Sequence, residues 1–160
     1  MESGKLLMKI DIFVIDKKGR KEMYDPLLSH YIKLSRPWAK VQVHEIFGRE
    51  IAKAQEISAD AARRSYSAVM AGYMDGGYNI ALDPSADEVD SLEFADLLRD
   101  RSSINFFIGG AYGFERDFLQ QSNKSVSFGK ITLSHKLVKV VLMEQIFRGL
   151  SIINNHPYHK

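Results

Sequence analysis

The side chains best suited to chemistry in this sequence crowd its end: Arg148, then His156, Tyr158 and His159 within the closing Asn154-Asn-His-Pro-Tyr-His-Lys160. An imidazole exchanges a proton near neutral pH, a guanidinium stabilises an anion, and a phenol ring stacks or donates a hydrogen bond. Pro157 forbids continuation of a preceding helix, and a tail holding only polar, ring-bearing or cationic groups is either disordered or functional. Two histidines without acid or cysteine companions make a poor metal site, so no metal is expected there. Upstream, Glu144 and Arg148 are spaced i, i+4 with the acid first; they read as an interfacial ion pair or as an active-site pair. His135, behind Thr132 and Ser134, reads as a structural helix-start residue or as a substrate-binding one.

A second kind of signal lies in the backbone. Gly109, Gly110 and Gly113 follow the apolar run Ile104–Ile108, and removing side chains where a strand enters its loop lets a ligand approach the main chain. The spacing is neither G-x-G-x-x-G nor a Walker loop, which disfavours ordinary dinucleotide and ATP binding.

Such groups need elements to hold them. Met8–Ile15 is a β-branched run and predicts a strand; a helix follows over about Met23–Ser35 with Pro26 in its first turn, then a strand around Val41–Phe47 and one long helix from Glu50 to Tyr73. Tyr78–Leu82 predicts a third strand stopping at Asp83-Pro84, and Asp90-Ser-Leu-Glu93 has the pattern of a capping box opening a helix through Leu98. Strands at 104–108 and 125–128 flank a short helix over 115–121. The segment Leu137–Ile153 is apolar around most of a helix's circumference, apart from a stripe of Glu144, Arg148 and Ser151, so it must be covered on two sides: by the domain's own sheet and by a second copy of the chain. Alternating strands and helices mean an α/β fold with a mostly parallel sheet of five to six strands. In open parallel sheets ligands sit beyond the carboxyl ends of the strands. Three ends stand out here: Leu82-Asp83, Ile108–Gly113 and Phe128–Leu133.

The 160 residues, 45% hydrophobic and without cysteine, suit one domain with a real core and no disulfide or thiol chemistry. Lys9 and Asp11 interrupt the apolar start and no long apolar run follows, so neither a signal peptide nor a membrane partner is expected, and a cytoplasmic location is. Net charge is +2, yet between Asp83 and Asp100 seven acids face Arg99 alone; that local −6 leaves +8 elsewhere, which permits a nucleic-acid face.

Four segments, in order, resemble one family: Phe107-Ile-Gly-Gly-Ala-Tyr-Gly113; Ser127 with Thr132-Leu-Ser-His135; Leu137-Val-x-Val-x-Leu-x-Glu144-Gln-x-x-Arg148; and Asn155-His-Pro-Tyr-His159. They look like the pseudouridine-N3 methyltransferases of the SPOUT superfamily, which modify 23S ribosomal RNA. The resemblance is specific over 103–160 and collinear from Met8, so residues 1–7 read as an extension and 8–160 as a single SPOUT domain. It departs from the family pattern at Val14-Ile-Asp-Lys17 and at Asp83-Pro-Ser-Ala-Asp87.

What the resemblance implies is a homodimer whose sheet ends in a C-terminal trefoil knot, binding S-adenosyl-L-methionine through backbone groups. Carried over, the cofactor contacts fall at Leu82, at Gly109 with Gly110, and at Phe128, Gly129, Lys130, Ile131, Thr132 and Leu133. The implied partner is 23S rRNA in the large subunit or assembled ribosome, not DNA. Methylation at N3 requires loss of a weakly acidic proton, so the implied catalytic residues are His156 as general base, Tyr158 to orient or stack on the base, Arg148 to stabilise negative charge, and His135; Tyr112 is a further stacking candidate. Two alternatives remain at this level: a SPOUT-fold ribosome-binding or assembly factor without catalysis, and a receiver- or flavodoxin-like domain with Asp16 and Asp83 at strand ends.

Overall fold

The computed structural model describes residues 7–17, 19 and 22–160. Five parallel strands are hydrogen-bonded in the order β2-β1-β4-β3-β5: β1 (Met8–Ile15), β2 (Ala39–Ile46), β3 (Tyr78–Glu88), β4 (Ser103–Ile108) and β5 (Lys124–Ser127). Six helices accompany them among the described residues: α1 (Asp25–Ser35), α2 (Arg49–Ile57), α3 (Ala59–Ala71), α4 (Ser91–Leu98), α5 (Arg116–Gln121) and α6 (His135–Ile153). The sheet is therefore five-stranded and wholly parallel.

Near-continuous apolar sequence in β1 and β4 follows from burial on both faces. On one face Ile12, Val14, Phe106 and Ile108 pack beneath α1, α4 and α6 through Leu28, Phe94, Leu98, Leu142, Ile146 and Leu150. On the other, Phe13, Ile15 and Phe107 meet Ile51 of α2, Tyr66 and Met70 of α3, and Phe118 of α5. Register places Val14 beside Ile108, Ile108 beside Leu82, and Leu82 beside Val126. The carboxyl ends of β1, β4 and β5 and the interruption of β3 after Leu82 thus open at one level, which is what brings the three loops together.

Two elements differ from the sequence reading. The long helix expected over Glu50–Tyr73 is two helices, broken at Ser58, whose backbone is extended and whose hydroxyl accepts from Ala61 N at 3.0 Å. A serine that caps a new helix competes with continuation of the old one. The third strand, expected to stop at Asp83-Pro84, resumes after a register shift and pairs Asp87 with Val126 and Glu88 with Ser127. Proline is tolerated because it sits in the irregularity, where no ladder donor is required. The capping box of α4 is present as expected, Asp90 accepting from Glu93 N and Glu93 accepting from Asp90 N.

Candidate functional site

At the carboxyl ends of β4 and β5, beside the interruption of β3 after Leu82, lies a cleft of about 510 Å³. Its apolar walls are Leu82, Ile108, Val126, Leu133 and Val138, and its rim is main chain from two turns. The first turn runs Gly110-Ala-Tyr-Gly113, closed by Gly113 N donating to Gly110 O at 3.1 Å, with Gly113 at φ +73. A Cβ at Gly109 would press on the Gly113 main chain at 3.2 Å, and one at Gly110 would lie 2.5 Å from the buried Tyr66 hydroxyl. Gly110 is thus required by the support beneath the turn. The second turn is held by Ser127, whose hydroxyl donates to Gly129 O at 2.7 Å and accepts from Gly129 N at 3.0 Å, while Gly129 takes φ +135.

Of the cofactor residues expected from sequence, Leu82, Gly109, Gly110, Phe128, Gly129, Ile131, Thr132 and Leu133 all line this one cleft. Lys130 is in the same loop but exposed and does not line it. His135, the first residue of α6, forms part of the wall. Sequence reasoning missed Pro84, Val126, Ser134 and Val138 as lining residues. Tyr112 stands on the rim, 43% exposed, its carbonyl held by Arg63 Nη1 at 3.2 Å.

The remaining catalytic candidates lie elsewhere. α6 ends with Asn155 at φ +58, Asn155 N bonded to Ile152 O and His156 N to Ser151 O, a left-handed C-terminal motif that turns the tail back along its own helix. Tyr158 Oη consequently donates to Glu144 Oε1 at 2.9 Å, and His159 Nδ1 lies 3.1 Å from Arg148 Nη1. Arg148 donates to Glu144 Oε1 from Nε at 3.0 Å and Nη2 at 2.6 Å, with its guanidinium over the Tyr158 ring. Burial and the Glu144 contact push the Tyr158 phenol up to about 12, so it remains a neutral donor. Burial raises the Glu144 carboxyl, but the bonds from Arg148, Tyr158 and Gln145 outweigh it and hold the group below its ordinary value. His156 is exposed and meets Trp38 and Phe147 edge-on. Ser151, the third member of the expected polar stripe, is fully buried and donates to Phe147 O at 2.8 Å.

Helical rise separates His135 from Arg148 by about 20 Å, so the cleft lies at the start of α6 and the tail cluster over its middle and second half. Among the described residues no group of three His, Cys, Asp or Glu side chains is placed to hold a metal, and no helix is long and apolar enough to cross a membrane. The receiver-like alternative needs a hydroxyl residue just after β4, and the chain has Gly109-Gly110 there.

A cleft rimmed by turns at three strand ends is a site for a ligand bound by main chain, and the sequence comparisons say which family built it. Residues 8–159 match the family model described as "Predicted SPOUT methyltransferase". This chain belongs to the SPOUT methyltransferase family. It is 66% identical over 153 residues to the Ribosomal RNA large subunit methyltransferase H of a Sulfurovum species, covering 96% of this chain and 100% of that protein. The corresponding protein of Aliarcobacter butzleri is 46% identical over the same coverage, and that of a Nitratiruptor species is 44% identical over 95% of this chain and 99% of its own length. The chain is therefore a SPOUT methyltransferase with the SPOUT fold, and the pattern in 103–160 that resembled such enzymes builds the tail and all of the cleft except the Leu82–Pro84 wall.

Proposed function

We propose that this SPOUT methyltransferase transfers the methyl group of S-adenosyl-L-methionine to N3 of a pseudouridine in 23S rRNA of the large ribosomal subunit, acting in the cytoplasm as a homodimer with a knotted C-terminal segment. The single domain is 8–160, with 1–7 an extension that lies almost wholly outside the described residues. The observation that carries the reading is the cleft: its volume suits a ligand of nucleoside size, its walls suit an adenine face, and its two turns offer main-chain donors and acceptors. The relatives' names supply the substrate class.

The cofactor, when bound, supplies an already activated methyl group. The protein's own work is then to hold the base, align its nitrogen and accommodate one proton. In this reading Tyr112 stacks on RNA at the rim, and the tail brings His156 to the proton, Tyr158 to the base and Arg148 to developing negative charge. The separation of about 20 Å along α6 means that a tail cannot serve the cleft of its own chain. It serves its partner's. The face of α6 carrying Leu137, Val141, Glu144 and Arg148 is incompletely covered, Leu137 being 40% exposed. Two copies crossing antiparallel near Val141 would set each His135 beside the other chain's Arg148, the self-complementary contact of a two-fold dimer.

The test is a chain ending at Asn154. Light scattering should still give a dimer and calorimetry unchanged cofactor affinity, while transfer of tritiated methyl to large subunits is abolished. Parent-level methylation by the truncated dimer would remove the tail from the reaction; a fully active monomer would remove the two-chain site.

A further inference from the structure

The cleft wall contains a histidine whose orientation is set by a buried acid. Asp16 follows β1 and is only 7% exposed; its main-chain N–H is tied to Ile46 O at 3.0 Å, so the residue is fixed from its backbone. Its Oδ1 lies 3.2 Å from His135 Nε2, and its Oδ2 accepts from Lys136 Nζ at 3.0 Å. Lys139 Nζ stands 3.9 Å from the same carboxylate and 3.4 Å from Glu45, while Lys136 also donates to Glu22 at 2.7 Å. Burial alone would raise the Asp16 carboxyl, but the bonds and charges of Lys136 and His135 outweigh it and hold the group below its ordinary value. Asp16 is therefore an ionised carboxylate, which can only accept hydrogen bonds.

A constraint on His135 follows. The ring nitrogen facing an acceptor-only group must carry the proton, so Nε2–H points to Asp16, and in the neutral imidazole Nδ1 holds a lone pair. Among the described residues the imidazole's one hydrogen bond is the one to Asp16, and its ring forms part of the cleft wall.

We propose that Asp16 is a positioning residue, locking His135 in the Nε2–H form so that Nδ1 presents a hydrogen-bond acceptor to an N–H donor of the bound ligand. The inference rests on the cleft being the methyl-transfer site. The donor is an amine of the cofactor or the ring N–H of the target base, and both offer the same chemistry to Nδ1.

The orientation can be read without any activity, which separates its failure from that of the functional reading. Long-range proton–nitrogen NMR correlations on the full-length, nitrogen-labelled protein without cofactor, at a pH well above the ordinary imidazole value of about 6.5, report the tautomer; His135→Gln assigns the signal. The expected result is Nε2–H in the parent, averaged tautomers in Asp16→Ala, and retained Nε2–H in Lys136→Met, which loses the lysine bridge but keeps the carboxylate on the imidazole. An Nδ1–H signal in the parent overturns the proposal even if Asp16→Ala fails to fold. So does a Lys136→Met signal displaced as far as that of Asp16→Ala, because Asp16 would then only clamp the helix start. Calorimetry with S-adenosylhomocysteine and methyl transfer on large subunits then locate the donor through His135→Gln: a roughly tenfold weaker cofactor places it on the cofactor, and a comparable loss of kcat at saturating cofactor places it on the base. Parent values for both overturn the contact.

Discussion

Replacing Gly110 by alanine tests what the glycine turn rests on. The new Cβ would lie 2.5 Å from Tyr66 Oη, 2.6 Å from Tyr66 Cζ and 3.1 Å from Ile15 Cγ2. Ordinary contact needs roughly 1 Å more than the first of these, and Tyr66 cannot yield freely: it is fully buried between α3 and the sheet and its hydroxyl donates to Gln55. Overpacking of this kind costs about 1–3 kcal/mol. If the turn lifts instead of the ring retreating, that energy is lost from the cleft and cofactor affinity falls about 5- to 150-fold; if the ring retreats, thermal unfolding drops by about 2–10 °C. Calorimetry and a melting curve on the same sample divide the two. Because the strain lies against Tyr66, Tyr66→Leu should partly rescue Gly110→Ala, with a coupling of about 1 kcal/mol or more between the changes. Parent affinity and parent melting temperature in Gly110→Ala would refute the reasoning. An uncoupled double mutant would show that the glycine is needed on the ligand side.

Tyr112→Ala, on the exposed rim, should weaken RNA engagement by about 1–3 kcal/mol for a lost stacking platform while leaving cofactor binding unchanged; KM for large subunits against cofactor affinity measures it. Asp16 and Glu144 both titrate below their ordinary values of 3.8 and 4.5: burial raises each, and the bonds and charges of Lys136 and His135 on Asp16, and those of Arg148 with the bonds from Tyr158 and Gln145 on Glu144, outweigh it. Their stabilisation is therefore complete above those values and is lost as pH falls through the lower folded-state ones. Melting temperature followed downward from neutral pH should fall more steeply in the parent than in Asp16→Asn/Glu144→Gln, and equal slopes would contradict the ion-pair assignment. Ser58→Ala removes the cap that starts α3 and should cost about 1 kcal/mol, measured by urea unfolding.

Much of the cleft could be read from the chain alone because its determinants are local. Glycines at 109, 110 and 113 after an apolar run mark a strand entering a turn, and alternation of strands with helices puts all such turns at one edge of a parallel sheet. The capping box at Asp90, Pro26 in the first turn of α1 and the start of the last helix near His135 are equally local, each depending on side chains within one turn of the backbone they serve. The break at Ser58 was missed because alanine-rich sequence on both sides favours continuation, and a serine cap outweighs it only when both short helices pack. Ile51 of α2 and Ala62 of α3 do so, against one face of the sheet.

The α/β class and the three strand ends could be read from patterning along the chain, while the family and most residues of the cleft came through the resemblance that the motifs of 103–160 carry. Tertiary structure alone decided how those residues are used. Asp16 and His135 stand 119 positions apart and meet only because β1 is an inner strand of the sheet and α6 begins above its end. Gly110 owes its lack of a side chain to Tyr66, 44 residues away and beneath the turn. The distance along α6 between His135 and the tail cluster separates two groups that sequence reasoning had placed in one site. A parallel sheet buries its strands between helices that arrive from distant sequence, so the partner of any charged or bulky side chain at a strand end is set by packing, not by neighbours in the chain.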